Sequence, residues 1–180
     1  MELVTDIKMN VTVQLFDPER PVIMMFDASP WAISCVIGQL AIQEIHGQVI
    51  TPLDQYRRIL PTTYLSKILN KMQERWTQTE KEAYAVYYFT SKNRHLLYGV
   101  RLFFYTDCQC LTYIYNLRST NNNINRWVLA LQEFDFTIHH VPGRTLIVPD
   151  ALSRVPWELL EEVERVETEL VSKKHEIEMV

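Results

Sequence analysis

Two aspartates stand just after apolar segments and are the residues best placed to do chemistry. Asp27 directly follows the apolar run 22–26, and Asp107 closely follows the apolar segment 101–105. An apolar run without polar alternation predicts a strand that is covered on both faces. A carboxylate at the end of such a strand needs a hydrogen bond, a pairing charge or a bound cation. If the two strands are neighbours in one sheet, both carboxylates lie side by side at one edge.

Two further carboxylates belong to predicted helices and fit the same place. Glu82 lies in the first turns of a helix predicted over 77–99, and Asp150 lies in the first turn of a helix predicted at 150–154. Taken singly, each of these carboxylates is more often a helix cap or a surface charge, and an N-cap role is enough to explain Asp150. As a set without histidine or cysteine, however, four carboxylates favour Mg²⁺ or Mn²⁺ over zinc.

The rest of the chain predicts an α/β domain around one mixed sheet. Thr77 or Thr79 can cap the long helix, and Gly99 can end it. Residues 51–61 are expected to form a loop insertion, after which 62–66 rejoin the sheet. The predicted strands are 22–27, 31–42, one near 48–51, 101–105 and 134–141, and the other helices are 109–117, 124–133 and 150–154.

Composition indicates a globular protein with one sizeable core. The chain has 180 residues, of which 47% are hydrophobic and 22% charged. No segment reaches the roughly 18–20 apolar residues of a membrane span, and the N-terminus lacks the apolar region of a signal peptide. The three cysteines have no metal-ligand spacing and are expected to be free thiols in a reducing compartment.

Negative charge is concentrated in the last 24 residues of the sequence. Residues 157–180 hold eight glutamates against one arginine and two lysines, a net charge of −5, so residues 1–156 carry +1 of the overall −4. A nearly neutral body neither requires nor excludes a polyanionic partner. The acidic tail has the spacing of a short amphipathic helix, so a solvated linker helix and self-association through 159–177 both stay open.

Four sequence blocks, in order, resemble the ribonuclease H domain of gypsy-type LTR retrotransposons. They are FDAS (26–29), TQTEKEAYAV (77–86), YTDCQCL (105–111) and INRWVLALQEFDFTIHHVPGRTLIVPDALSR (124–154). The last block is the most specific, and the likeness covers residues 15–156. By this resemblance, 1–20 is a connector from the polymerase connection region, 21–156 is the ribonuclease H domain, and 157–180 is an acidic helical tail or linker.

The resemblance implies the ribonuclease H fold, a five-stranded mixed sheet flanked by helices, with a site of three aspartates and one glutamate. The aspartates match Asp27, Asp107 and Asp150. The second glutamate of TEKEA, Glu82, matches the catalytic one, and Glu80 then reads as a first-turn charge favoured by the helix dipole.

The implied activity is hydrolysis of the RNA strand of an RNA–DNA hybrid by two Mg²⁺ ions, with Mn²⁺ as an alternative. Asp27 would bridge both ions, Asp150 would serve the ion that activates water, and Glu82 and Asp107 would serve the other. The products would carry 5′-phosphate and 3′-hydroxyl ends. The implied partners are the hybrid and the polymerase and connection domains of a polyprotein, with no membrane, in the cytoplasm within retroelement particles or reverse transcription complexes.

Several residues depart from the family pattern. Phe26 replaces a threonine without removing a ligand, and Cys108-Gln109-Cys110 replaces a common His-Lys-Pro. Pro149 replaces alanine before Asp150, and proline is tolerated at a helix start. His139 and His140 lie on the last predicted strand, where a structural role is more usual than a catalytic one.

The substitution at 108–110 leaves an alternative open, a retroelement-derived domain that keeps the fold without cleavage and serves as an interaction or scaffold module. An integrase of the same fold is disfavoured, because it would use three carboxylates in another order and would lack the DALSR block. No substrate-binding residue can be assigned from the sequence.

Overall fold

A five-stranded mixed sheet forms the centre of the computed structural model, which describes residues 15–40, 59–114 and 121–154. The strands are β1 (Val22–Ala28), β2 (Ala32–Leu40), β3 (Ile59–Ile68), β4 (Arg101–Thr106) and β5 (Asp135–His140). Their spatial order is β3-β2-β1-β4-β5. β1 pairs antiparallel with β2 and parallel with β4, β2 pairs antiparallel with β3, and β4 pairs parallel with β5. The predicted mixed sheet is confirmed.

Five α-helices are described. They are α1 (Gln78–Lys92), α2 (Arg94–Leu97), α3 (Gln109–Ile114), α4 (Asn122–Leu131) and α5 (Ile147–Ser153), with 3-10 turns at Gln73–Arg75 and Gly143–Thr145. No helix within these described residues is long and apolar enough to cross a membrane.

β1 lies at the centre of the sheet and is buried along its whole length. Alternation divides its side chains between two cores. Val22, Met24 and Phe26 pack in the larger core with residues of α1 and α4, whereas Ile23 and Met25 pack in the smaller core, which includes side chains of α5. By the same alternation, Asp27 follows Met25 on the face that α5 covers.

The prediction of one helix over 77–99 is wrong in one respect. The helix ends at Lys92, and a short second helix, Arg94–Leu97, follows Asn93. The side-chain amide of Asn93 donates to the carbonyl oxygen of Phe89 at 2.8 Å, a local side-chain hydrogen bond of the kind that competes with helix continuation. Gly99 adopts φ +80°, as expected of a glycine that ends a helix, but it ends the second one.

Other boundaries shift by a few residues. The second strand starts at Ala32, and the segment expected to rejoin the sheet at 62–66 is part of the longer β3. The strand predicted near 48–51, the connector region before residue 15 and the tail 157–180 lie outside the described residues.

Candidate divalent-cation site

Asp27 and Asp107 lie at the same edge of the sheet because their strands are parallel neighbours. Met25 pairs with Tyr105 in the β1–β4 register, and each aspartate lies two residues further along its strand. Asp27 is the penultimate residue of β1, and Asp107 follows the last residue of β4. The predicted juxtaposition of these two carboxylates is confirmed.

The helix α1 brings one of its two early glutamates to this edge and uses the other at its own N-terminus. Glu80 forms a capping box with Thr77, in which the Thr77 backbone N–H donates to Glu80 Oε2 at 2.9 Å and the Thr77 hydroxyl accepts from the Glu80 N–H. Asn121 also donates to Glu80 Oε1 at 2.6 Å. The Glu80 side chain thus caps the N-terminus of α1.

Glu82 is buried, with 2% of its surface exposed. Gln78, one turn earlier on α1, donates through Nε2 to Glu82 Oε1 at 2.9 Å and to the Ala28 carbonyl oxygen at 2.6 Å. Gln78 therefore fixes Glu82 against the end of β1. Of the two glutamates, the structure brings Glu82 to the aspartates, as the sequence favoured.

Three carboxylates converge closely. One oxygen from each of Asp27, Glu82 and Asp107 lies within 4.8 Å of the other two. They line a cleft of about 420 Å³ whose wall also includes Asp150 and, apart from carboxylates, Gln78, Cys108, Gly143 and Arg154. All four predicted carboxylates therefore face one cleft, although their role as metal ligands stays a prediction.

Burial and mutual repulsion act together on the two innermost carboxylates. Burial raises the pKa of Glu82 well above its usual value, and the charges of Asp27 and Asp107 raise it further. Burial also raises the pKa of Asp27; a hydrogen bond from Ser153 opposes that shift, and the charges of Asp107 and Asp150 add to it. Like charges gathered in a buried place need a positive group to compensate them.

The donor set fits a hard divalent cation. Among the described residues, the buried Oε2 of Glu82 has no hydrogen-bond partner, which is unusual because a buried carboxylate oxygen is normally satisfied. A cation held between Glu82, Asp27 and Asp107 would satisfy that oxygen and reduce the repulsion. Oxygen-only ligation is the kind that Mg²⁺ and Mn²⁺ prefer.

Asp150 reaches the cleft from α5 and differs from the other three carboxylates. It lies in the first turn of a helix that starts three residues earlier than predicted, so it is not the N-cap; Leu146 is, without a side-chain cap. Its Oδ1 accepts from Arg154 Nε at 2.6 Å. Pro149 is accommodated in that first turn, as expected.

The two histidines of the last strand do not line the cleft. The His139 ring stacks on Tyr105 with centroids 5.3 Å apart. His140 Nε2 lies 3.1 Å from the backbone oxygen of Asp107, so it contacts the main chain and not the carboxylate. Both positions agree with a structural role.

Four residues of the site were not singled out from the sequence. They are Gln78, Gly143, Ser153 and Arg154. Gln78, Ser153 and Arg154 had a detectable signal, because they stand three or four residues from a predicted carboxylate, a spacing at which helical side chains share a face. Gly143 had no such signal, since its closeness to Asp107 depends on the tertiary structure.

Comparison with known proteins identifies the family. The model of the RNase H-like domain found in reverse transcriptase matches residues 17–134. The retrovirus-related Pol polyprotein from transposon gypsy of Drosophila melanogaster is 33% identical over 146 residues, which cover 81% of this chain and 12% of that protein. The chain thus spans about an eighth of the length of the curated relatives it matches.

Solved structures share the fold. RNase H1 from the halophilic archaeon Halobacterium salinarum matches with a TM-score of 0.50 and 17% identity, covering 73% of this chain and 93% of that one. The foamy viral protease-reverse transcriptase in complex with RNA/DNA hybrid matches with a TM-score of 0.52 and 18% identity, covering 86% of this chain and 19% of that one. The expected fold is confirmed.

Proposed function

The chain belongs to the RNase H-like domains of retrotransposon reverse transcriptases, and on that premise we propose that it hydrolyses the RNA strand of RNA–DNA hybrids. The reaction would depend on two divalent cations held by Asp27, Glu82, Asp107 and Asp150. The observation that carries the proposal is the convergence of Asp27, Glu82 and Asp107 within 4.8 Å, in a cleft that Asp150 also lines.

Each carboxylate would have a distinct task. Asp27, Glu82 and Asp107 would hold one cation between them, and Asp27 with Asp150 would hold the second. When bound, the cations supply an activated water and stabilise the leaving 3′ oxygen. The side-chain amide of Gln78 keeps Glu82 in place. Because Asp27 and Glu82 are buried, their electrostatic interactions with a bound cation would be stronger than in water.

The proposed substrate and context follow from the relatives. The foamy viral protein was solved with an RNA/DNA hybrid, and the gypsy relative is a Pol polyprotein of which this chain matches a small part. We expect this domain to bind the hybrid through its phosphates and 2′-hydroxyls with little sequence preference, and to act beside a polymerase domain.

The test is cleavage of a hybrid labelled in its RNA strand, by the full chain with Mg²⁺ or Mn²⁺. Asp27→Asn and Glu82→Gln should each lower the rate on the order of 10³-fold, since metal coordination supplies several kcal/mol of transition-state stabilisation. Glu80→Gln is the matched control: it has the same chemistry two residues away, and its rate should stay near that of the wild type.

The results separate the proposal from its rival. A scaffold domain would leave the RNA strand intact under every metal condition. Undiminished cleavage by Asp27→Asn and Glu82→Gln would instead show that these carboxylates are not part of the site. Loss in Glu80→Gln with retention in Glu82→Gln would reverse the choice between the two glutamates.

A further inference from the structure

Three serine hydroxyls fasten the short helix α5 to the sheet. Ser34 on β2 donates to the Pro149 carbonyl oxygen at 2.7 Å, and Ser66 on β3 donates to the Leu152 carbonyl oxygen at 3.0 Å. Ser153 lies on α5 itself and donates to Asp27 Oδ2 at 2.5 Å. Two of these hydroxyls therefore hold main-chain oxygens, whereas Ser153 holds a carboxylate of the candidate site.

The Ser153 hydroxyl is well suited to hold Asp27. Its side chain is fully buried, and Asp27 is 7% exposed. A serine hydroxyl has one proton to donate, and two acceptors lie near, Asp27 Oδ2 at 2.5 Å and the Asp150 carbonyl oxygen at 3.0 Å. The shorter contact to a charged acceptor is the stronger one. The Asp150 carbonyl oxygen also accepts from the Arg154 N–H at 3.2 Å, so it does not need that proton.

This hydrogen bond joins two elements that carry different carboxylates. Asp27 is on β1, and Ser153 is three residues from Asp150 on α5. A carboxylate can turn about its terminal bond, and a fixed donor on one oxygen stops that rotation. The same contact that orients Asp27 therefore also helps to hold the helix that presents Asp150 against β1.

We propose that Ser153 is a positioning residue of the cation site: it holds one oxygen of Asp27 so that the other is presented to the cations together with Asp150. This inference rests on the proposed function, because it assumes that the carboxylates bind cations. Hydrogen-bond partners of metal ligands orient the ligands, and their loss typically lowers metal affinity by about 10- to 100-fold.

The test measures cation binding directly. Mn²⁺ binding to the full chain is followed by electron paramagnetic resonance, and hybrid cleavage is titrated with Mg²⁺. Ser153→Ala should weaken Mn²⁺ binding about tenfold and raise the Mg²⁺ concentration for half-maximal cleavage by a similar factor. Ser153→Cys keeps nearly the same shape with a weak donor, so it should behave like the alanine variant, and it carries the test if Ser153→Ala does not fold.

Ser66→Ala is the matched control. It removes a hydroxyl that also fastens α5 but contacts no carboxylate, so its Mn²⁺ affinity should match that of the wild type. An equal loss in Ser66→Ala would overturn the proposal, because it would assign the effect to the docking of the helix. Wild-type affinity in a folded Ser153→Ala variant, or in Ser153→Cys, would also overturn it, since a strong donor to Asp27 would then be unnecessary.

The outcome for the proposed function can be read separately. If the wild type binds Mn²⁺ and the Ser153 variants bind it more weakly, but none cleaves the hybrid, Ser153 keeps its role and the hydrolysis proposal fails. If the wild type cleaves and the Ser153 variants keep its Mn²⁺ affinity, only the inference on Ser153 fails. If the wild type binds no Mn²⁺, both fail.

Discussion

The floor and the rim of the cleft hold their carboxylates in opposite ways. On the floor, Asp27 and Glu82 are 7% and 2% exposed, and among the described residues Glu82 Oε2 has no hydrogen-bond partner. On the rim, Asp107 is exposed and Asp150 is half-buried, with Arg154 as its ion pair. The floor therefore keeps one buried, unpaired carboxylate oxygen at Glu82, whereas on the rim Asp150 is paired with Arg154 and Asp107 faces solvent. This contrast teaches that the four carboxylates should respond differently to mutation and to pH.

Among the substitutions that leave all four carboxylates in the chain, the largest effect is expected at the rim, where Gly143 lies beside Asp107. A Cβ atom at residue 143 would lie 2.7 Å from Asp107 Oδ2, so Gly143→Ala must displace that carboxylate. A misplacement of about 1 Å in a catalytic geometry can cost about 10²-fold in rate. We expect a loss of that order in hybrid cleavage, measured in a metal titration, with little change in thermal unfolding.

Gly99→Ala provides the opposite control. Gly99 has φ +80° and open space around it, so alanine there should lower the free energy of unfolding by about 1 kcal/mol and leave cleavage unchanged. If Gly143→Ala behaves like Gly99→Ala, losing stability and not rate, then the placement of Asp107 at the rim does not matter for chemistry.

A pH titration of the cation-free protein tests the floor. Because burial first, and then the charges of Asp27 and Asp107, raise the pKa of Glu82, the folded state binds its proton more tightly than the unfolded state does. The contribution of Glu82 to stability is therefore highest below its unfolded pKa of about 4.5 and is lost as pH rises from there through the folded pKa. Urea unfolding in EDTA between pH 5 and 8 should show this fall, and Mg²⁺ should reduce it.

Substitution of the two glutamates should have opposite signs. Glu82→Gln removes a buried charge and should gain on the order of 1 kcal/mol at neutral pH while flattening the pH dependence. Glu80→Gln weakens a capping box and should lose about 0.5–1 kcal/mol while keeping the slope. If Glu82→Gln instead lowers the free energy of unfolding without cations, then protein groups already compensate the charge of Glu82.

The floor could be predicted from the sequence more completely than the rim. The unbroken apolar run before Asp27 predicted a strand covered on both faces, and β1 is such a strand. Its pairing with β4, which sets Asp27 beside Asp107, joins distant segments and could only be a hypothesis. The match of TEKEA to the family block favoured Glu82 over Glu80, and the capping signal of Thr77, three residues before Glu80, supports that choice locally. The apolar run and the capping signal are short-range patterns, because each involves residues only a few positions apart.

The rim depends on contacts between distant segments. α5 begins without a side-chain cap, so no local residue marked its start at Ile147. The contact of Gly143 with Asp107 joins residues that are far apart in sequence, and no periodicity reports it. The break at Asn93 was hidden for a similar reason, since the apolar spacing of the first helix continues past the residue that interrupts it.

The smallest effect is expected from the ion pair at the rim. Arg154 and Asp150 have side chains 61% and 42% exposed, so Arg154→Gln should change the free energy of unfolding by about 0.5 kcal/mol or less. The guanidinium competes with a cation for Asp150, so its removal should tighten Mn²⁺ binding about two- to threefold at low salt, less at high salt. Arg94→Gln is the matched control, because Arg94 forms a similarly exposed pair with Glu133 that does not line the cleft, and its Mn²⁺ affinity should not change. Equal tightening in both variants would mean that the overall charge of the protein, and not the arginine at the rim, controls cation binding.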